Sequence, residues 1–320
     1  MGKKVILAGG SGFIGTLLAR RLQRESFEVV VLTRHPPAPR TDGIVEAQWP
    51  ARPLLGSNPT SYRTHGTWVQ AIDGADAIVN LTGRSINCVH TPKNRRQITD
   101  SRLDSVRVLG AALEQCRQLP AVWVQASAVG YYGSRALPAC DEESAAGATF
   151  LADVCAKWEA GFAATCPASV RPVVLRFAMV LGREGGAVPP LARITRCFLG
   201  GPAGNGKQGI SWIHQEDLMQ LFLAAITREA MRGTYNASAP DPVSNAEFMR
   251  TLRQVLGRPW CPAAPAPVIR LVAKFILRTE PSLILDGQFV IPGRLLAEGH
   301  QFKYAQISAA LRYLAGRAIR

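Results

Sequence analysis

Along the first two thirds of the chain, short apolar runs alternate with longer stretches whose apolar residues recur at helical spacing. The runs "KKVILAGG", "FEVVVLTRH", "ADAIVNLTG", "AVWVQASAV" and "RPVVLRFAMVLG" are rich in β-branched residues and read as strands. Between them, "TLLARRLQRES", "THGTWVQAIDG", "RQITDSRLDSVRVLGAALEQC" and "FLADVCAKWEAGFAAT" read as helices. The strands are apolar at nearly every position, as expected of strands covered on both faces. The pattern therefore predicts an α/β fold with a doubly wound parallel sheet. Its ligand belongs outside the carboxyl ends of the strands, which selects Leu81, Thr82 and Gly83, the segment "ASAVGYYG" (126–133) and "RFAMVLG" (176–182) as site walls.

The link between the first strand and the first helix is "GGSGFIG". In that position Gly9 and Gly12 allow a tight turn and close approach of backbone to a pyrophosphate, and Gly15 lets helix and strand pack closely. Ser11, Phe13 and Ile14 complete the turn at the helix N-terminus, where unpaired N–H groups and the helix dipole favour an anion. The second strand ends in Thr33 and Arg34, where an NAD site carries an acidic residue for the ribose 2′-hydroxyl. A guanidinium pairs with a 2′-phosphate and a carboxylate repels one, so NADP(H) is expected over NAD(H).

Composition changes this picture little. The chain has 320 residues and is 47% hydrophobic, with no apolar run long enough to span a bilayer and no cleavable leader pattern, so a cytoplasmic protein is expected. The seven cysteines are scattered and never in C-x-x-C spacing, which indicates neither a disulfide framework nor a metal site. A net charge of +14 raises the question of nucleic acid or an anionic surface. The cations are dispersed, with "KNRR" (93–96) the main cluster, so the expected partner is a small-molecule substrate, with neither nucleic acid nor membrane and with a homodimer allowed. The segment "PVIRLVAKFILR" is apolar with spaced cations and is assigned to the core of the C-terminal region in preference to a membrane surface. Residues 35–66 are Pro-rich around a short strand-like "IVEAQW" and read as a surface excursion.

The ordered series "GGSGFIG", "DAIVNLTG", "SRL", "ASAVGYYG", "KWE", "VLRFAMVLGREGGA", "GGPAGNGKQGISWIHQEDL", "TYNASAP" and "VIPGRLLAEGHQF" resembles the atypical, nucleotide-sugar-epimerase-like branch of the extended short-chain dehydrogenase/reductases. "NAEFMRTLRQVLGRP" and "SLILDGQFVIPGRLLAEGHQF" resemble that branch's small C-terminal domain. The resemblance implies a Rossmann NADP-binding domain over residues 1–183, with 215–243 returning to it. It also implies a smaller, mostly helical lobe over 184–214 and 244–320. Extended members move a hydride between nicotinamide and a sugar or related alcohol, with a Tyr and a Lys one helical turn apart handling the proton and a Ser or Thr orienting the carbonyl.

The stretch "SAVGYYGSR" (127–135) imitates that set, but Gly130, Gly133 and Pro138 interrupt any helix that would bring Tyr131 and Arg135 together. Aligning Glu159 with the family's Glu puts Leu151 where the Tyr belongs and Cys155 where the Lys belongs. Aligning Lys157 puts Asp153 at the Tyr position. Neither register supplies a phenol. Ser127 remains as a donor to a substrate carbonyl, and Tyr131 and Tyr132 as candidates for the missing acid. Lys157 is a candidate for the cofactor ribose, and Arg102 and Arg176 for cofactor or substrate phosphates. By position in the resembling fold, Lys207, Gln208, Trp212 and His214 are candidate substrate contacts. The functional expectation is an NADP(H)-binding oxidoreductase or epimerase-like protein acting on a small polar substrate, nucleotide-linked ones included. A noncatalytic NADP(H)-binding sensor is the alternative.

Overall fold

The computed structural model describes residues 2–35, 41–50 and 66–316. In chain order, the first half runs β1 (Lys4–Ala8), α1 (Phe13–Arg24), β2 (Glu28–Thr33), β3 (Val45–Gln48), α2 (Thr67–Ile72), β4 (Ala77–Asn80), α3 (Pro92–Leu113) and β5 (Val122–Ala128). A single 3₁₀ turn, Val129–Tyr132, then leads to β6 (Arg135–Cys140), α4 (Phe150–Thr165) and β7 (Arg171–Phe177). There follow β8 (Met179–Leu181), α5 (Val188–Arg196), β9 (Gly209–Ile210), β10 (Trp212–His214), α6 (Gln215–Thr227) and β11 (Gly233–Ala237). The remainder holds β12 (Val243–Ser244), α7 (Asn245–Val255), α8 (Ala266–Phe275), α9 (Ser282–Leu285), β13 (Gln288–Val290), α10 (Gly293–Ala297) and α11 (Ile307–Gly316).

Seven strands form one sheet in the order β3-β2-β1-β4-β5-β7-β11, and every pairing in it is parallel. Successive residues of β1 and β2 point to opposite faces: Val5, Leu7, Val29 and Val31 pack under α1 and α6, and Ile6, Ala8, Val30 and Leu32 under α2 and α3. Both faces are covered, which is why the strands read as continuous apolar runs. On the second face Trp123 of β5 meets Phe162 of α4 edge to face, with ring centroids 5.1 Å apart. Such a pair adds about 1 kcal/mol to its area burial.

A separate apolar cluster joins α7 and α11 to β8 and β10 through Phe248, Leu252, Leu311, Leu314, Leu181 and Trp212. It is tied to α6 by Asp217, whose buried carboxylate accepts the backbone N–H groups of Lys303 and Tyr304. The strand-like "IVEAQW" is β3 at the sheet edge, while residues 36–40 and 51–65 of the expected excursion lie outside the described residues.

One expectation is overturned here. "PVIRLVAKFILR" forms α8, but only Ile269 and Ala273 are buried, and Val268, Leu271, Phe275, Ile276 and Leu277 stay exposed. Apolar residues with spaced cations look the same in sequence whether the apolar side faces a core or water. Among the described residues, no helix is long and apolar enough to cross a membrane.

Candidate cofactor cleft and the buried network beside it

Because β2, β1, β4 and β5 are neighbours in register, Ala8 pairs with Leu32 and Asn80, and Asn80 with Gln125. The segments that leave β1 and β4, at residues 9 and 81, therefore start beside the last residues of β2 and β5. At the end of β1, Gly9 has φ +82°, and a Cβ there would sit 2.9 Å from the backbone of Leu81. A Cβ on Gly15 would lie 2.5 Å from the Cα of Gly10, so α1 reaches the turn because position 15 is bare.

Gly12 is different. Its φ of −78° suits any residue, and a Cβ would meet only the carbonyl oxygen of Gly9, at 3.6 Å. Among the described residues, nothing in the packing requires glycine there. It is the N-cap of α1, no side chain caps that helix, and its first turn holds no acidic residue. The opening N–H groups of a helix have no partner within it. The turn thus presents a bare, positively polarised surface, which fits a phosphate-bearing cofactor.

The turn's other side chains face inward. The Phe13 ring fills the space left by Gly182, Gly185 and Gly186, and Ile14 packs on the α1–α6 core. Ser11 is exposed. At the end of β2, Thr33 is buried and its hydroxyl accepts the N–H of His35, while Arg34 is exposed. After β4, the Thr82 hydroxyl is buried with no hydrogen-bond partner among the described residues, and Leu81 spans both cores. Arg102 of α3 pins this wall: its guanidinium lies against Gly83 and donates to the carbonyls of Arg84 and Ile98. Burial lowers the pKa of Arg102, with the Cys155 thiol opposing the shift.

The end of β5 holds a buried network the sequence did not reveal. Ser127 donates its hydroxyl to Glu159 Oε1 at 2.5 Å. Arg176 of β7 forks onto the same carboxylate, Nε to Oε1 at 2.9 Å and Nη2 to Oε2 at 2.7 Å. Its third nitrogen donates to the Tyr132 hydroxyl at 2.8 Å, and that hydroxyl donates to Asn236 of β11 at 2.8 Å. Asn236 in turn donates to the Ile291 carbonyl and, through its backbone N–H, to Glu142. The Arg176 guanidinium also lies 3.5 Å from the centre of the Tyr131 ring. Burial opposes the charge on Arg176, but the hydrogen bonds and charge of Glu159 outweigh it and raise the pKa. Burial pushes Tyr132 up to about 12.

This network corrects four sequence expectations. Serine has one proton to donate, and that of Ser127 is directed to the Glu159 carboxylate and not to an open cleft. Tyr132 is fully buried and both sides of its hydroxyl are occupied, so it is a structural residue and not a proton donor. Arg176 is buried in a salt bridge and does not reach a phosphate. Lys157 lies on the outer side of α4, paired with Asp153 at 2.7 Å, while Leu151, Cys155 and Glu159 follow one another at single-turn spacing on the inner side.

Cys155, which the Glu159 register sets at the lysine position of the usual relay, is buried beside Ser127. Burial, and then the charge of Glu159, push its thiol up to about 11. It is therefore a neutral thiol and cannot supply the ammonium that activates a catalytic tyrosine. Tyr131 is half-buried and lines an open groove of about 550 Å³ between α4, β7 and β11.

In β10, Trp212 is buried with its indole N–H on the Asp241 carbonyl, and His214 is buried as the N-cap of α6. Neither faces an open cleft, which corrects their assignment as substrate contacts. The Gln208 amide donates to the Ala203 and Ile284 carbonyls, and Lys207 is exposed. Among the described residues, no group of His, Cys, Asp and Glu side chains is placed to hold a metal ion.

Glu159 and Asn236 are the residues sequence reasoning missed. Each carried one signal, a polar group on an otherwise apolar inner surface: Glu159 on the helix face of Cys155 and Phe162, Asn236 within "TYNA".

Comparison with known proteins agrees with this geometry. The pattern of the NAD-dependent epimerase/dehydratase family matches residues 5–238, and a domain of unknown function, DUF1731, matches residues 264–314. The epimerase family protein SDR39U1 of Homo sapiens is 34% identical over 317 residues, covering 97% of this chain and 98% of that protein. A chloroplastic SDR39U1 homolog of Arabidopsis thaliana is 35% identical over 314 residues, covering 96% of this chain and 85% of that protein. The crystal structure of human SDR39U1 (isoform 2) with NADPH superposes with a TM-score of 0.82 at 33% identity, covering 98% of this chain and 99% of that one.

Proposed function

The chain belongs to the NAD-dependent epimerase/dehydratase family, and from that premise we propose that it is an NADP(H)-binding oxidoreductase or epimerase-like protein acting on a small polar substrate, nucleotide-linked ones included. The observation that supports this reading is Gly12, a bare N-cap at which the packing of the described residues leaves room for a side chain. The α1 N-terminus would hold the pyrophosphate, with Gly9 and Gly15 shaping the turn. Arg34 would pair with the 2′-phosphate, and Leu81, Thr82 and Gly83, braced by Arg102, would wall the cleft. Support for the 2′-phosphate comes from the absence of a carboxylate at the end of β2 and from the NADPH in the human relative's crystal structure. When bound, the cofactor supplies or accepts a hydride. Around it, the chain's own residues orient substrate and exclude water. The buried Ser127–Glu159–Arg176 network fixes the end of β5, and Lys207 offers a charge at the edge of the smaller lobe.

A second reading, a noncatalytic NADP(H) sensor, is favoured by one observation. The positions that normally carry the proton hold Leu151 and a neutral Cys155, and the Ser127 proton is committed to Glu159. The two readings separate in a single-turnover experiment, in which protein charged with NADPH is mixed with nucleotide-linked sugars and small ketones. Loss of reduced cofactor in proportion to protein supports the enzyme. Unchanged, still-bound NADPH across the panel, together with no epimerised sugar when the protein is charged with NADP+ instead, favours the sensor.

A further inference from the structure

The smaller lobe carries an apolar surface that the cofactor cleft does not use. At about 100° per residue, Val268, Leu271 and Phe275 fall on the side of α8 opposite its buried Ile269 and Ala273, with Arg270 and Lys274 along one flank. Leu271 is 61% exposed, Phe275 65%, and Ile276, just beyond the helix, 72%. The surface extends backward along the chain. Residues 201–204 run beside 262–264 through the Ala203–Ala264 bridge, and the Cys261 thiol donates to the Phe198 carbonyl, which brings exposed Phe198 and Leu199 beside exposed Trp260 on the segment that leads into α8. Arg258 lies over the Phe198 ring.

Charge selects the occupant. On and just after α8, Arg270, Lys274 and Arg278 are exposed, and the sequence from Phe248 to Thr279 contains no acidic residue. A second copy of this chain would bring the same excess of positive charge to the contact. An anionic bilayer surface would instead attract it, and an exposed Trp, Phe and Leu set flanked by Lys and Arg has the composition of a helix that lies in the lipid interface. We infer that α8, with the strip at Phe198, Leu199 and Trp260, is a peripheral docking surface for anionic membranes. The helix inserts its outward apolar side at headgroup depth and does not span. Just after α8, Thr279 donates to Asn87 and Glu280 accepts the N–H of His90, both on the loop that follows β4. Docking therefore holds the lobe's contact with the cleft wall near the lipid surface.

The test is flotation of the full chain with vesicles of phosphatidylcholine alone or with about 30% phosphatidylglycerol, at low and physiological salt. The wild type is expected to float with the anionic vesicles only, less so as salt rises. The charge-preserving triple variant Leu271→Gln, Phe275→Gln, Ile276→Gln is expected to bind at least about tenfold more weakly, as is Arg270→Gln, Lys274→Gln, Arg278→Gln. Both should retain the wild-type NADPH affinity and thermal midpoint, which shows that the fold is intact. Failure of the wild type to float with anionic vesicles at low salt would overturn the inference, as would equal binding by the apolar variant. It would equally fail if the apolar variant halved the particle mass in light scattering, because the surface would then belong to a second copy.

Discussion

Ser127 gives its only proton to Glu159 across 2.5 Å, and Arg176 grips the same carboxylate with two nitrogens. The residue that sequence comparison marks as a carbonyl-orienting serine is thereby a link in a buried charge network, and the network fixes the strand end where chemistry would occur.

Removing one partner of such a pair leaves an uncompensated buried charge. Glu159→Gln is expected to destabilise the protein by about 3–5 kcal/mol, since Arg176 keeps its charge against a neutral amide. Ser127→Ala is expected to cost only about 1 kcal/mol, because it deletes one hydrogen bond and leaves the salt bridge in place. Denaturant unfolding of the two variants measures the difference, and equal effects would contradict the network's order of importance.

Arg34→Ala is expected to lower the ratio of NADPH to NADH affinity by at least about tenfold, through loss of a charge-assisted fork to the 2′-phosphate. Titration with both cofactors reads the ratio directly. A ratio that stays at its wild-type value would place the phosphate elsewhere.

His214 makes stability depend on pH in a defined direction. Its Nδ1 accepts the Glu216 N–H, so the neutral ring carries its proton on Nε2, which is buried with no hydrogen-bond partner among the described residues. Burial lowers its pKa to about 4, with Glu216 opposing. The unfolded chain takes up a second imidazole proton, on Nδ1, near pH 6.5 and the folded one does not until about pH 4. Stability is therefore complete above pH 6.5 and lost as pH falls toward 4, by on the order of 2–3 kcal/mol. His214→Asn, which keeps an N-cap acceptor, is expected to flatten that part of the profile relative to wild type. An unchanged slope would mean that other groups produce it.

The sheet and the glycine turn were legible because they depend on local chemistry: buried parallel strands are apolar throughout, and Gly9 and Gly15 answer to a backbone angle and a 2.5 Å contact. Family resemblance at the level of the epimerase/dehydratase pattern was legible for the same reason, since its motifs sit at strand ends. Contacts between distant elements were not. The Ser127–Glu159 bond joins residues 32 apart, and Tyr132 meets Asn236 across 104. Lys157 was misplaced although helical spacing held the answer, for it shares no face with Leu151 and Cys155. The exposure of α8 was hidden because periodicity shows that a helix has an apolar side and not what that side meets.

The claim that the β1–α1 turn is an NADP(H) site is tested most directly by measuring NADPH affinity and stability together in Gly12→Ala and Gly15→Ala. Gly15→Ala drives a Cβ into the Gly10 backbone and should destabilise by about 1–3 kcal/mol or more. Gly12→Ala has room within the protein, so its stability should stay within about 1 kcal/mol of wild type. Its NADPH affinity should nevertheless fall by at least about tenfold, because the methyl occupies the approach to the α1 N-terminus. A stable Gly12→Ala protein that binds NADPH as tightly as wild type would contradict the account.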